Sequence, residues 1–449
     1  MGQHQGYVQV IGSSIIYSLH KNTFQTSILQ FCFNLYLTVI ILVIILLSGC
    51  TSSKRYGEEE KKDIIVKTAE TEETSKSSSN SIRILLDEME SASFLTIQNT
   101  VNVYDEKNKI AVVNPGNTLE FYDSENQLLL KVRDQSFSGN LFKVQSENSD
   151  YITYNGKNYK GMLSIHPSEN SIEIVNNLDI EEYLKGVISR EMPLGKGTEN
   201  LEALKALAIC ARTYSMIRIK ESKTLYDLYP DTRDQVYGGI DAEYPLSNQA
   251  VDDTKDMILT YNDSLAQLFY HSTCGGFTED AINVFTDTKL EYLKGIQDGD
   301  PPYCSISPRF EWTEIFTEDL IIDRLKSAAL ISHTNYSLED LVILSRFDSG
   351  RVNELQVVLN DDYNNETSIS IFGNDIRQVL KNADGKLILW SSVFDISRDD
   401  QSIILNGKGF GHGVGMCQWG AISLSKRGWN FEDILQHYYP GTQLGSADD

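Results

Sequence analysis

The run GKGFGHGVGMCQWGA, from Gly407 to Ala421, sets six glycines beside the ring of His412, the amide of Gln418 and the thiol of Cys417. Glycine at that density belongs where backbone turns through positive φ or lies close against another chain or a ligand. A helical pattern follows the run. Taken alone, it reads equally well as a tight structural turn around a buried histidine or as one wall of a site. Its partners have to come from elsewhere in the chain.

The chain has 449 residues, room for two or three domains, and its 41% hydrophobic content is ample for real cores. Lys and Arg number 39 against 63 Asp and Glu, and 39 − 63 gives a net charge of −24. Binding to nucleic acid draws on counterion release by cationic side chains, so nucleic acid is excluded as a partner. A polyanionic substrate would likewise have to be gripped by hydrogen bonds and stacking rather than by bulk charge.

Leu35 to Leu47 form an almost unbroken apolar segment, with Lys21 upstream and Ser48, Gly49 and Cys50 directly after it. This is the layout of a secretory signal. Leu47-Ser48-Gly49-Cys50 resembles the bacterial lipobox, which makes Cys50 the lipidation site and puts the mature chain on the outer face of the cytoplasmic membrane. The alternative is an uncleaved anchor helix, which needs about 20 apolar residues, and Asn34 interrupts such a run. Residues 1–50 therefore read as a lipoprotein-type signal segment. Residues 51–81, rich in charge and serine, read as a disordered tether with an rms span of about 30 Å.

Residues 82–177 contain short runs of β-branched and aromatic residues, such as VNVYD, QLLLKV and SIEIVN, separated by turns such as Asn155-Gly156. They predict a small antiparallel β module serving as scaffold. A helical turn is expected at Ile180 to Leu184, then a strand or loop GVISREMP that ends at Pro193 and presents Glu191 at an edge. Glu199 to Lys220 follows with helical spacing, a Thr198 cap and small residues Ala206, Ala208, Cys210 and Ala211 that permit close packing. This is the central buried helix, and Arg212 on it requires a carboxylate or several carbonyls.

GVISREMP, Ala211-Arg212-Thr213-Tyr214, Asp234-Gln235-Val236-Tyr237-Gly238-Gly239, FYHSTCGGFTED and finally GFGHGVGMCQWGA resemble the successive signatures of the stage II sporulation protein D / LytB family. They come in that family's order across roughly Leu178 to Thr442. The resemblance implies a peptidoglycan lytic transglycosylase, cutting between N-acetylmuramic acid and N-acetylglucosamine with a 1,6-anhydro product, or, in the LytB branch, a modifier of a peptidoglycan amidase. The family's catalytic glutamate falls on Glu191. Such an enzyme needs one carboxylic acid that protonates the leaving oxygen and then, as carboxylate, takes the proton of the sugar's own 6-hydroxyl. A hydrolase would want two carboxyls. The plain structural alternative is that Glu191 forms a salt bridge with Arg212.

Arg212, Gln235, Tyr237, His271, Ser272, Thr273, His412 and Gln418 are the candidate substrate-binding residues, with His412 first among them. Some sporulation members of the family hold zinc at the segment corresponding to Leu225 to Gly239, through Cys and His; this chain has neither there, so no cofactor is expected at that place. Cys274 and Cys304 are disulfide candidates in an exported domain, and zinc on His271, Cys274 and Cys304 is the rival reading. Cys417 stands where the family usually has serine. The expected fold is α+β, with mostly antiparallel strands and one buried helix in a catalytic domain at 178–445, a smaller inserted α/β region at about 312–400, and the β module in front. Expected partners are peptidoglycan glycan strands, an amidase, and the membrane through the lipid anchor.

Overall fold

Burial alternates residue by residue along Val101–Tyr104, Gln127–Val132 and Phe142–Ser146, the period-2 pattern of strands with one face on a core. In the computed structural model, which describes residues 80–447 apart from positions 91, 125–126, 170, 286–288, 333–334 and 400–401, these strands belong to two antiparallel sheets. One has six strands in the order Ser81–Met89, Ser171–Asp179, Met162–Ser168, Phe142–Ser146, Val101–Tyr104, Lys109–Val113. The other has four, Ala92–Thr96, Thr118–Ser124, Gln127–Val132 and Gln135–Gly139. The readings for Cys50 and for nearly all of the tether lie outside the described residues. No helix among the described residues is long and apolar enough to cross a membrane.

Helix α1, Ile180–Glu191, continues directly from the strand Ser171–Asp179. Asp179 caps it, its carboxylate accepting the Glu181 N–H at 2.9 Å. The expectation of a strand or loop across GVISREMP is therefore wrong. The steric reach of Pro193 extends only to the residue before it, so Met192 is extended at φ −137°, ψ 137°, and the helix runs on to Glu191. The acid thus sits in the last turn of a rigid element.

Helix α2, Leu201–Glu221, is buried without a break from Ala206 to Thr213. Small residues make this possible, and a helix apolar on all sides belongs inside. It packs against α1, against α3 (Pro245–Asp253), against the strand Met257–Tyr261, and against two later helices, α6 (Gln418–Lys426) and α7 (Phe431–Tyr438). Its N-cap is Asn200 rather than Thr198. The Asn200 amide donates to the Pro193 carbonyl at 2.9 Å, fastening the loop after Glu191 to the start of α2. One continuous apolar cluster joins the strands from Ile82 onward to α1, α2, Met416 and Tyr439.

A second cluster, built on Phe316, Leu325, Leu355, Val357, Phe394 and Leu405, is made of residues between Trp312 and Leu405. It lies among the three-stranded sheets Glu311–Phe316, Ile403–Lys408, Phe394–Arg398 and Tyr336–Arg346, Val352–Asp361, Glu366–Phe372, with helices α4 (Glu318–Ser327) and α5 (Asp375–Leu380). The fold is α+β with mostly antiparallel strands, as expected. Among the strands of the described residues one pairing is parallel, Tyr270 with Met416 and His271 with Cys417, and the isolated bridge of Glu279 with Val414 beside it is parallel too.

Candidate active site

That parallel pairing is how the glycine-rich run finds its partners. Phe410 and Thr273 exchange backbone hydrogen bonds at 2.8 and 2.9 Å, the Glu279 N–H donates to Gly413 O at 2.8 Å, and the Trp419 N–H donates to Ser272 O at 3.1 Å. The run is thereby laid along residues 270–279. On its other side the Gly411 N–H donates to Trp390 O and the Arg351 guanidinium donates to the carbonyls of Phe277 and Cys274, both at 2.9 Å. Gly413, at φ +91°, lies so close to that guanidinium that a Cβ would overlap it. Gly413→Ala should therefore lower the unfolding midpoint in urea by the equivalent of about 2 kcal/mol or more, from left-handed strain and displaced Arg351 together.

The run ends where α6 begins, and Gln418, in the first position of that helix, lies near enough to the carboxyl of Glu191 to favour its anion. Glu191 Oε1 also accepts the Val236 N–H at 2.7 Å. Glu191 as a residue is half-buried. Burial is the dominant influence and pushes its pKa above the ordinary 4.5, while the Val236 amide and the Gln418 side chain, both favouring the anion, oppose it. Its charge bears on the buried phenols of Tyr183 and Tyr270, whose own titration is pushed far up, mainly by burial. Among the described residues, the groups acting on the Glu191 proton are an amide N–H and a carboxamide, both uncharged.

The other candidates divide. Gln235 is buried; its Oε1 accepts from Tyr183 Oη at 3.1 Å and Ser215 Oγ at 3.2 Å, and its Nε2 donates to Ala211 O at 3.3 Å. Tyr237 is buried with its hydroxyl donating to Asn176 Oδ1 at 3.1 Å. Both shape the ground behind Val236 and spend their polar atoms inside the protein. Thr273 is buried with its hydroxyl on Ser307 at 2.8 Å, whereas Ser272 is half-buried beside it.

The imidazole of His412 is held at both nitrogens by backbone: Nδ1 accepts the Val414 N–H at 3.1 Å, so Nε2 carries the proton and donates to Tyr270 O at 3.0 Å. Burial and the nearby Arg377 bring its pKa down to about 3, which keeps the ring neutral. His271 is buried, donates from Nδ1 to Val414 O at 3.1 Å, and lies with its ring centre 5.4 Å from that of His412. Two stacked rings, Phe269 and the 45% exposed Phe285, extend this aromatic group, Phe285 lying 4.8 Å from His412. Nothing in the sequence pattern singled Phe285 out.

Arg212 belongs to a different place. Its fully buried guanidinium forks onto Glu181, with Nε and Nη2 each 2.6 Å from a carboxylate oxygen, and Nη1 donates to Met257 O at 3.0 Å. Glu181 opens α1 and Glu191 closes it, ten residues or about 15 Å apart. The alternative pairing of Arg212 with Glu191 is overturned by this geometry.

Residues 168–261 match the family model described as Stage II sporulation protein, and residues 304–415 match a domain of unknown function (DUF8618). Over 306 residues the chain is 32% identical to stage II sporulation protein D of Bacillus subtilis, covering 64% of this chain and 80% of that protein. The chain belongs to the stage II sporulation protein D family. An uncharacterized protein of Brachyspira hyodysenteriae is 30% identical over 81% of this chain and 93% of its own length. The amidase enhancer of Bacillus subtilis is 30% identical over 69% of this chain, which spans about half of that protein, 47%. The family model begins at the end of the strand Met162–Ser168, takes in the strand Ser171–Asp179 that leads into α1, and ends with the strand Met257–Tyr261. It therefore covers Glu191, α2 and the Gln235 loop, but not the glycine-rich run that completes the surroundings of Glu191.

Proposed function

We propose that this chain acts outside the cytoplasm, lipid-anchored through Cys50, and cleaves peptidoglycan glycan strands as a lytic transglycosylase with Glu191 as acid and then base. The observation that carries the reading is the environment of Glu191: a carboxyl on a half-buried residue, raised above its ordinary pKa by burial, with an amide N–H and a carboxamide favouring the anion against it. Protonated, it gives its proton to the glycosidic oxygen as the bond to the muramic acid C1 breaks. As carboxylate, it takes the proton of the 6-hydroxyl, whose oxygen closes on C1 to form the 1,6-anhydro ring. The attacking alcohol belongs to the substrate, so no second carboxylate is needed to activate water. The Val236 N–H and Gln418 steady the anion and fix the carboxyl's orientation.

The same groups set a pH dependence. The rate of the acid step falls as pH rises through the raised pKa of Glu191. Gln418→Met removes a contact that favours the anion and should shift the alkaline limb of the profile to higher pH, with less effect on the amount of product at low pH; initial rates across a pH series read this.

The test of the function is mass spectrometry of peptide-stripped glycan incubated with the purified chain. Anhydro-muramyl ends support the enzyme. The name of the Bacillus subtilis relative, amidase enhancer, supports a second reading, in which stem peptides are released from intact wall only when an amidase is added and no anhydro ends form.

A further inference from the structure

Three thiols that lie far apart in the chain converge beside the parallel pairing. Cys274 follows the strand Tyr270–His271, Cys304 lies in the 3-10 turn Tyr303–Ile306, and Cys417 caps α6. All three are buried and free, and with Asp298 their ligand atoms lie within 4.8 Å of one another. Cys274 Sγ and Cys304 Sγ are 3.4 Å apart. His271 is not one of this set: its ring nitrogens are not among the ligand atoms gathered within 4.8 Å.

We propose that Cys274, Cys304, Cys417 and Asp298 form a structural zinc site. Tetrahedral zinc with sulfur at 2.3 Å separates its thiolates by about 3.8 Å, and a carboxylate oxygen at 2.0–2.2 Å completes the set, dimensions that this cluster already has to within a small adjustment. The surroundings are those of metal-bound thiolates. Backbone N–H groups point at the sulfurs: Cys274 N at 3.2 Å and Gly420 N at 3.4 Å from Cys417 Sγ, and Gly276 N at 3.4 Å from Cys274 Sγ. Asp298 is oriented from outside, Oδ1 accepting the buried Tyr438 hydroxyl at 2.6 Å and Oδ2 accepting the Cys304 N–H at 2.9 Å, which is how ligating carboxylates are held. A disulfide between Cys274 and Cys304 would use two of the thiols; Cys417 would keep its cap of α6 and Asp298 its bonds to Tyr438 and the Cys304 N–H, but the convergence of all four groups would go unused.

The site differs from the segment Leu225 to Gly239, which has no cysteine or histidine. Its position gives it a purpose. It would clamp the 270s strand, the loop at 298–304 and the start of α6, the helix that brings Gln418 to Glu191. The ion would therefore fix the far side of the candidate active site without touching substrate.

The test is metal analysis of the full chain, purified in detergent without added metal and again after dialysis against zinc. One zinc per chain is expected, with cobalt in its place giving visible thiolate-to-cobalt absorption. Cys304→Ser and Asp298→Asn should lose most of the bound zinc, and Tyr438→Phe should bind zinc about tenfold more weakly while keeping all four ligands. Alkylation of the denatured, chelated, unreduced protein should then modify Cys274, Cys304 and Cys417 alike. A Cys274–Cys304 disulfide in that experiment, or three free thiols in a folded chain that takes up no zinc on dialysis, overturns the proposal. Both outcomes are read on the unmodified protein and are independent of glycan cleavage.

Discussion

Glu191→Gln should cut the release of anhydro-muramyl ends from peptide-stripped glycan by roughly 10²–10⁴-fold, the usual contribution of a positioned acid and base. The carboxamide keeps the shape of the side chain and can still accept the Val236 N–H, so binding of the glycan should change far less than the rate. Stability supplies the control. Because burial raises the folded-state pKa above the ordinary 4.5, the folded protein holds this proton more tightly than the unfolded chain does. The stabilisation from that proton is complete below the unfolded pKa and is lost as pH rises through the folded one. A glutamine has no charge to desolvate, so the variant should unfold at or above the parent's temperature at neutral pH. A variant that lost cleavage by unfolding early would leave the role of Glu191 unsupported, and one that cleaved at the parent's rate would refute it.

Arg212→Met should destabilise the fold by about 3–5 kcal/mol, because it strands the carboxylate of Glu181 in the interior without its partner. Equilibrium urea unfolding reads the loss directly. The double variant Glu181→Leu with Arg212→Met should recover a large part of it, since a pair of buried charges replaced by apolar groups of similar volume is often near neutral. Recovery would be incomplete, as Met257 O loses the donor it has in Arg212. If the double variant were as unstable as the single one, the guanidinium would matter for its carbonyl contacts rather than for Glu181.

The residue chemistry of the site was easier to read from the sequence than its geometry. Glu191 stands out because the resemblance to the family puts its catalytic glutamate there, and Gln418 because it lies within the glycine-rich signature. The secondary structure under Glu191 was misread because a proline constrains its predecessor and nothing further back, so Glu191 could remain helical. Arg212 clearly needed a partner, yet its choice of Glu181 over Glu191 depends on how α1 lies across α2, which no local pattern encodes. His412 is the other instructive case. A histidine among glycines suggests a working ring, but the bends that the glycines allow bring backbone groups onto both of its nitrogens. The convergence of Cys417 with Cys274 follows from the register of His271 against Cys417, a parallel pairing whose strands are too short to leave a strand signal in sequence.

The parallel pairing has a consequence for when the protein becomes competent. The contact between the Cys274 N–H and Cys417 spans 143 positions, and the contact between Cys210 and Tyr439 spans 229. Contacts of such separation form slowly, because a long loop must close before they give anything back. Glu191 can be helical early in folding, but Gln418 reaches it only after the chain has closed on itself. Under the proposed function, a partly folded chain would thus carry the glutamate without the surroundings that set its proton affinity, and cleavage would begin only once the whole chain had folded.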